Sequence, residues 1–313
     1  MRYPYISIVI PTLNEERNLP RLLDSLARLR YPKTRRELII ADGYSIDATA
    51  AIAKKYGAKI VFNKAKIRGA GCQIGVQSSI GEYVAFTDAD CTVPADWIHG
   101  LLRHFSDPSV ASAGGPNVTP AGDPPFAQAV GQILGVFTMP GARYGARSNS
   151  VAKTFHNPGC NVLYKKDAIQ KVGGFNTQLV TCEDEELDYR LQAAGYTHIY
   201  TPHVIVRHYR RPTYKRIFVQ SYRFAVGRAQ AIRLHVPMAR WFHFMPTALA
   251  VILLVSVMFT PFIVTAVLVV SILFALFMSA TYHAVPWYTY LGICYCWSIG
   301  WALGLVGGLV TKI

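Results

Sequence analysis

The stretch Ile6–Leu29, ISIVIPTLNEERNLPRLLDSLARL, holds a strand and a helix back to back. Ile6 to Ile10 is a continuous β-branched run closed by Pro11, the pattern of a strand covered on both faces in a parallel sheet. Across Asn18 to Leu29, Leu19, Leu22, Leu23 and Leu26 recur at helical spacing. The pair then repeats. ELIIADG (Glu37 to Gly43) precedes DATAAIAKKYG (Asp47 to Gly57), whose Asp47 or Thr49 is expected to cap the helix and whose Gly57 is expected to end it. AKIVFN (Ala58 to Asn63) is a third strand, Ala70 to Ile80 a helix, and EYVAFTDAD (Glu82 to Asp90) a fourth strand ending in acids. The alternation predicts an α/β, doubly wound fold, in which ligands bind outside the carboxyl ends of the strands. Three such ends carry polar residues: Pro11-Thr12-Leu13-Asn14-Glu15, Ala41-Asp42-Gly43 and Asp88-Ala89-Asp90.

Composition divides the chain. At 51% hydrophobic, 16% charged and a mean hydropathy of +0.23, the 313 residues are too apolar for an ordinary soluble domain, where about 25% charged is usual. All 18 acids lie at or before Asp188, and from Trp241 to Thr311 there is no Lys, Arg, Asp or Glu. A helix needs roughly 20 apolar residues to cross the hydrocarbon. Residues 245–311 therefore predict a membrane domain of three transmembrane helices broken near Pro261, with two as the alternative. Trp241, Phe242, His243, Pro286, Trp287, Tyr288 and Tyr290 read as interfacial anchors or as packing residues. Residues 1–235 form the charged body, with interfacial helices near 210–235. Arg207, Arg210, Arg211, Lys215, Arg216, Arg223, Arg228, Arg233 and Arg240, with no acid among them, predict a body on the cytoplasmic side. The amino terminus lacks a long h-region and cleavage site, so no signal peptide is expected. The net charge of +14 invites a nucleic-acid partner, but the basic stretch abuts the apolar tail and no recognition motif accompanies it. Six cysteines show no CxxC pair, zinc spacing or disulfide framework, and read as reduced, mostly packed thiols.

Asp88 and Asp90 flank one small residue where an apolar strand ends, so a turn there can aim both at one Mg²⁺ or Mn²⁺ that also holds diphosphate oxygens. Alone, D-x-D is better read as a solvated turn. It stands, however, with PTLNEE after the first strand and ADGYSIDAT after the second, and this ordered set resembles the inverting glycosyltransferases of family 2. The resemblance covers roughly residues 5 to 235 and implies the GT-A nucleotide-sugar-binding, Rossmann-like fold. GCNVLYKKDAIQKVGGFN (Gly159 to Asn176) resembles the family's acceptor-side segment. CEDEELDYRL (Cys182 to Leu191) resembles its acidic catalytic helix, and VQSYRFAVGR (Val219 to Arg228) its Q-x-x-R-W signature with Phe224 in place of Trp.

The resemblance implies that Pro11, Thr12, Asn14 and Glu15 frame the nucleotide, with Asp42 near the base or ribose and Arg68 beside it. Asp88 would lie near the ribose and metal, and Asp90 would bind the metal on the diphosphate. Where many members read D-D-G-S this chain reads Ala41-Asp42-Gly43-Tyr44-Ser45, one acid short, which leaves the base open: a UDP-sugar is favoured and a GDP-sugar possible. Glu183-Asp184 matches the family's E-D pair, with Asp184 as general base, since a neutral hydroxyl needs a base within about 3 Å. Acids at a helix amino terminus also favour its dipole, and the two readings are compatible. Leu187, Tyr189 and Leu191 leave the buried face of that helix open. Gln220 would bind the nucleotide-sugar, and Arg223 would meet the leaving diphosphate, its rival use being lipid phosphates. His156, His203 and His208 have no ligand-like spacing and read as packing or hydrogen-bonding residues.

The expected function is metal-dependent inverting transfer of a sugar from a nucleotide-sugar donor to a hydroxyl of a lipid-linked saccharide or glycolipid at the cytosolic membrane face, as in succinoglycan-type glucosyltransferases. A polyprenyl (dolichyl) monophosphate acceptor is the alternative, favoured less because a phosphate needs no base. A catalytically inactive nucleotide-sugar-binding scaffold is the remote one. The Gly- and Pro-rich loop from Gly114 to Asn149, with Arg143 and Arg147, reads as an acceptor lid or a structural excursion.

Overall fold

A computed structural model describes residues 3–136, 150–259 and 261–311, so Arg143 and Arg147 of the expected lid lie outside the described residues. The chain forms two compact units. The first comprises Met1–Pro120, Thr138–Leu179 and Glu183–Tyr209; the second comprises Ala121–Phe137, Val180–Cys182 and Arg210–Ile313.

In the first unit β1 (Ile6–Thr12), α1 (Leu19–Ala27), β2 (Arg36–Asp42), α2 (Thr49–Lys55), β3 (Lys59–Phe62), α3 (Arg68–Ser78) and β4 (Tyr83–Phe86) follow the alternation read from the sequence. Then come β5 (Cys91–Thr92), α4 (Trp97–Leu102), β6 (Val110–Gly114) and β7 (Asn117–Val118). The helix α5 (Pro125–Val136) belongs to the second unit. The first resumes with β8 (Ala152–Thr154), β9 (Val162–Lys165), α6 (Lys166–Lys171), α7 (Glu183–Ala193), β10 (Thr197–Tyr200) and β11 (Val206–His208). The main sheet runs β3-β2-β1-β4-β9-β6-β10-β8. Its first four strands are parallel, whereas β9 runs antiparallel to both neighbours and β8 is an antiparallel edge. The chain leaves β1 toward β2 on one side and reaches β4 on the other, so the strand order reverses at β1 and a crevice opens at its carboxyl end.

Alternation along β1 explains the two cores. Ile6, Ile8 and Ile10 pack on one face with Leu19, Leu22, Leu23 and Leu26 of α1; Val9 packs on the other with Cys72 and Val76 of α3 and Leu187 and Leu191 of α7. Each fully buried aliphatic side chain contributes about 1.5–3 kcal/mol. On α3, a Cβ at Gly75 would stand 2.2 Å from Val9 Cγ1, so its glycine sets how closely the helix lies on the sheet.

Three local expectations shift. The fourth strand stops at Phe86 rather than Asp90, because Cys91 N donates to Asp88 O (3.0 Å) and turns the chain. The helix expected from Ala70 begins two residues earlier, at Arg68. In α2 the cap position is Ala48, while Asp47 Oδ1 accepts from Thr49 N and Oγ1; Gly57 ends the helix with φ +72°.

The second unit gathers α5, α8 (Tyr214–Leu234), α9 (Trp241–Phe259), α10 (Pro261–Tyr282) and α11 (Trp287–Val310). The break expected near Pro261 adjoins residue 260, which lies outside the described residues. Among the described residues two stretches, Val264–Tyr282 and Trp287–Val310, are long and apolar enough to cross a membrane. By contacts α8 groups with the apolar helices, packing lengthwise on α11. Gly300, Gly304 and Gly308, four residues apart, lie against Phe218 O, Tyr222 O and Val226 O, where a Cβ would come within 2.2–2.7 Å. This small-residue stripe permits close helix approach. Of the expected anchors, Trp241 and Tyr288 are exposed, but Tyr290 is buried and donates to Gln132 Oε1, so it is a packing residue.

Candidate active site

The loops after β1 and β2 are stapled together. Thr12 faces Asp42 in register, and Thr12 Oγ1 donates to Asp42 Oδ1 (3.3 Å). Ser45 holds both Asp42 oxygens, through its N–H (2.9 Å) and its hydroxyl (2.6 Å), and accepts from Asn14 N. Asn14 sits in the left-handed region (φ 56°), a conformation Asn tolerates, and its Oδ1 accepts from Ile46 N. Glu15 N donates to Thr49 Oγ1, and Glu15 Oε2 accepts from Asn18. Pro11 is half-buried beside Gly71 of α3. Asp42 is therefore a buried organiser of both loops, 1% exposed, rather than an open carboxylate.

At the next strand end Arg68 bridges two segments far apart in sequence. Its Nε and Nη2 donate to Asp88 Oδ1 (3.0 and 2.8 Å), and its Nη1 donates to Glu183 Oε1 (2.6 Å). Burial opposes the Arg68 charge, but Asp88, Glu183 and Asp184 outweigh it and hold the guanidinium protonated well above its ordinary value. Glu183, 2% exposed, is pushed up by burial against the pull of Arg68. One turn beyond Asp88, Asp90 Oδ1 lies 3.1 Å from His208 Nε2, because β5 pairs antiparallel with β11 and sets Cys91 opposite His208. Donor atoms of Asp88, Asp90 and His208 lie within 4.8 Å of one another, as do those of Cys91, Cys160 and His208. Two carboxylates and an imidazole fit a small divalent cation.

The helix α7 opens with Glu183 and Asp184. Asp184 Oδ2 accepts from Gly159 N (3.0 Å), and Oδ1 from Glu185 N (2.9 Å). Its side chain keeps 22% exposure while Glu183, Glu186, Leu187, Asp188 and Leu191 turn inward, which settles the face that the sequence left open. A Cβ at Gly159 would stand 2.7 Å from Arg68 Nη2 and 2.8 Å from Asp184 Oδ2, so only glycine lets this loop close over both.

Beneath Asp184 lies a buried polar chain. His156 Nδ1 bonds Asp188 Oδ2 (2.8 Å) and its Nε2 faces Asp184 Oδ2 at 3.9 Å, while Tyr164 donates to Asp188 Oδ1 (2.7 Å). Burial alone would lower the His156 pKa; Asp184, the bond to Asp188, and Glu185 raise it from 6.5 to about 9. Of the packing or hydrogen-bonding roles expected for His156 and His208, the structure gives His156 the second. His156 contacts Asp184 and Asp188 of α7 and His208 contacts Asp90 after β4, and no local spacing signals either, because the partners are 28 or more residues away. Gln220 and Arg223 belong to the second unit, on α8. Gln220 is half-buried, Arg223 exposed, Thr181 Oγ1 donates to Arg223 O (3.0 Å), and Phe224 packs edge-on to Trp297.

Comparison with known proteins decides the family. Residues 7–173 match the profile described as glycosyl transferase family 2. The chain belongs to that family. This family 2 glycosyltransferase is 26% identical over 233 residues to the glycosyltransferase AglE of Haloferax volcanii, covering 72% of this chain and 74% of AglE. It is 27% identical over 264 residues to the succinoglycan biosynthesis protein ExoA of Rhizobium meliloti, covering 78% and 74%. Among solved structures, the mannosyltransferase PcManGT of Pyrobaculum calidifontis, in complex with GDP-Man and Mn²⁺, superposes with a TM-score of 0.65 at 18% identity, over 95% of this chain and 88% of that one. At that identity the likeness is one of fold, and the fold is GT-A-like.

Proposed function

We propose that this glycosyltransferase moves a sugar, with inversion, from a nucleotide-sugar to a hydroxyl of a lipid-linked saccharide or glycolipid at the cytosolic face of a membrane. The observation that carries this is Asp184: its carboxylate is held by two backbone N–H groups at the edge of the strand-end crevice, yet stays partly open. A polyprenyl monophosphate is already ionised and gives such a base no work.

In the proposed reaction the acceptor oxygen bonds to the anomeric carbon opposite the leaving diphosphate. The sugar–phosphate C–O bond breaks with its electron pair going to the diphosphate, and the acceptor proton passes to Asp184. Asp88, Asp90 and His208 would hold Mn²⁺ or Mg²⁺, which neutralises charge on the diphosphate when bound. Arg68 fixes Asp88 and Glu183. Pro11, Thr12, Asn14 and Glu15 would frame the nucleotide with Asp42 behind them. A UDP-sugar is the favoured donor and a GDP-sugar the alternative, the latter supported by the GDP-mannose bound to the mannosyltransferase of like fold. The basic residues from Arg207 to Arg240 support cytosolic placement.

Asp184→Asn tests the base. The variant is expected to keep metal-dependent thermal stabilisation by UDP or GDP and to lose turnover by about two orders of magnitude or more. Near-normal turnover would overturn the assignment and favour a phosphate acceptor.

A further inference from the structure

Cys91, Cys160 and His208 come together only in the fold. The antiparallel pairing of β5 with β11 sets Cys91 opposite His208, and the turn Pro158–Asn161, closed by Asn161 N to Pro158 O (2.9 Å), delivers Cys160. That turn is rigid: Asn161 is fully buried, accepts from Trp97 Nε1 (2.9 Å) and donates to Pro116 O and Val204 O. Both thiols are buried, at 1% and 5% exposure, and their sulfurs and a His208 nitrogen lie within 4.8 Å of one another. Asp90 Oδ1 stands 4.0 Å from Cys91 Sγ and 3.1 Å from His208 Nε2. Tetrahedral Zn²⁺ holds sulfur at about 2.3 Å and nitrogen or oxygen at about 2.0–2.2 Å, so donors around it stand roughly 3.3–3.8 Å apart. Cys91, Cys160 and His208 approach that spacing as a set, and Asp90 stands beside Cys91 and His208.

We propose that Cys91, Cys160 and His208, with Asp90 as fourth donor, form a site for a thiophilic divalent cation such as Zn²⁺ or Cd²⁺, and that filling it blocks the adjacent Asp88–Asp90–His208 set. Two thiolates and an imidazole select such ions over Mg²⁺ or Mn²⁺, which prefer oxygen. Coordination forms two metal–sulfur bonds and releases the two thiol protons to solvent. His208 and Asp90 belong to both donor sets, so an ion anchored by sulfur withdraws them from the diphosphate side. Cysteine spacing in the sequence showed no metal motif because Cys91 and Cys160 are 69 positions apart and His208 a further 48. The blocking step rests on the proposed role of Asp88, Asp90 and His208; sulfur coordination does not.

The test uses full-length protein in detergent, titrated with Cd²⁺ alone and followed by sulfur-to-cadmium charge-transfer absorbance. The wild type is expected to show a saturable band, and Cys160→Ser and Cys91→Ser each to weaken binding by at least about tenfold. In a second arm, Zn²⁺ should abolish Mn²⁺-dependent thermal stabilisation by UDP or GDP in the wild type and spare it in both serine variants. An undiminished cadmium band in the two variants overturns the site. A band lost as expected, with Zn²⁺ equally inhibitory in wild type and variants, overturns the blocking. Absence of any Mn²⁺-dependent stabilisation in untreated wild type would instead fail the reading of Asp88, Asp90 and His208, and leaves the cadmium arm to decide the sulfur site.

Discussion

His156 offers a prediction whose size comes from the structure. Its imidazole sits between Asp188, at 2.8 Å, and Asp184, at 3.9 Å, and its pKa is raised from 6.5 to about 9. The folded protein thus binds this proton more tightly than the unfolded chain. The resulting stabilisation is complete below pH 6.5 and is lost as pH rises through 9. A rise of that size is worth about 3 kcal/mol at its full extent. For a domain of this size that is roughly 6–12 °C in apparent melting temperature. The assay is thermal unfolding of the purified protein from pH 6 to pH 10, wild type against His156→Gln, which keeps a hydrogen-bonding side chain but cannot take the charge. Groups titrating in both proteins cancel, so the wild type should lose its advantage progressively between about pH 6.5 and 9. Parallel curves over that range would refute a buried imidazolium at this position.

Three further outcomes follow from the geometry. Asp90→Ala should abolish Mn²⁺-dependent stabilisation by UDP or GDP, and His208→Ala should weaken Mn²⁺ binding by about tenfold or more in a metal titration at fixed nucleotide; unchanged affinity would remove His208 from the ligand set. Gly75→Ala drives a Cβ to 2.2 Å from Val9 Cγ1 and should cost about 1–3 kcal/mol of stability in a denaturation curve, whereas a neutral effect would mean that α3 lifts readily from the sheet.

The parallel half of the main sheet was legible because each of its elements announces itself locally. A β-branched run such as ISIVI suits a strand covered on both faces, and leucines at three- and four-residue spacing suit a helix packed on one. The positions of Asp88 and Asp90 just past an apolar strand, and of Glu183 and Asp184 at a helix start, were legible too, although their proposed roles came from the family resemblance. The antiparallel insertion of β9 beside β4 was not read, because pairing partners 80 residues apart leave no periodic trace.

By itself the sequence determined the alternation of strand and helix, the carboxyl-end location of the acids, and the separation of a charged body from an apolar tail. These are properties of local periodicity and composition, which a chain carries whether folded or not. Only the tertiary structure decided that Asp42 is consumed by Ser45 and Thr12, that His156 stands beneath Asp184, and that His208 joins Asp90 on one side and Cys91 with Cys160 on the other. Side-chain chemistry of this kind depends on atoms within a few ångströms, and strand register and loop closure set those distances between segments that the linear order keeps far apart.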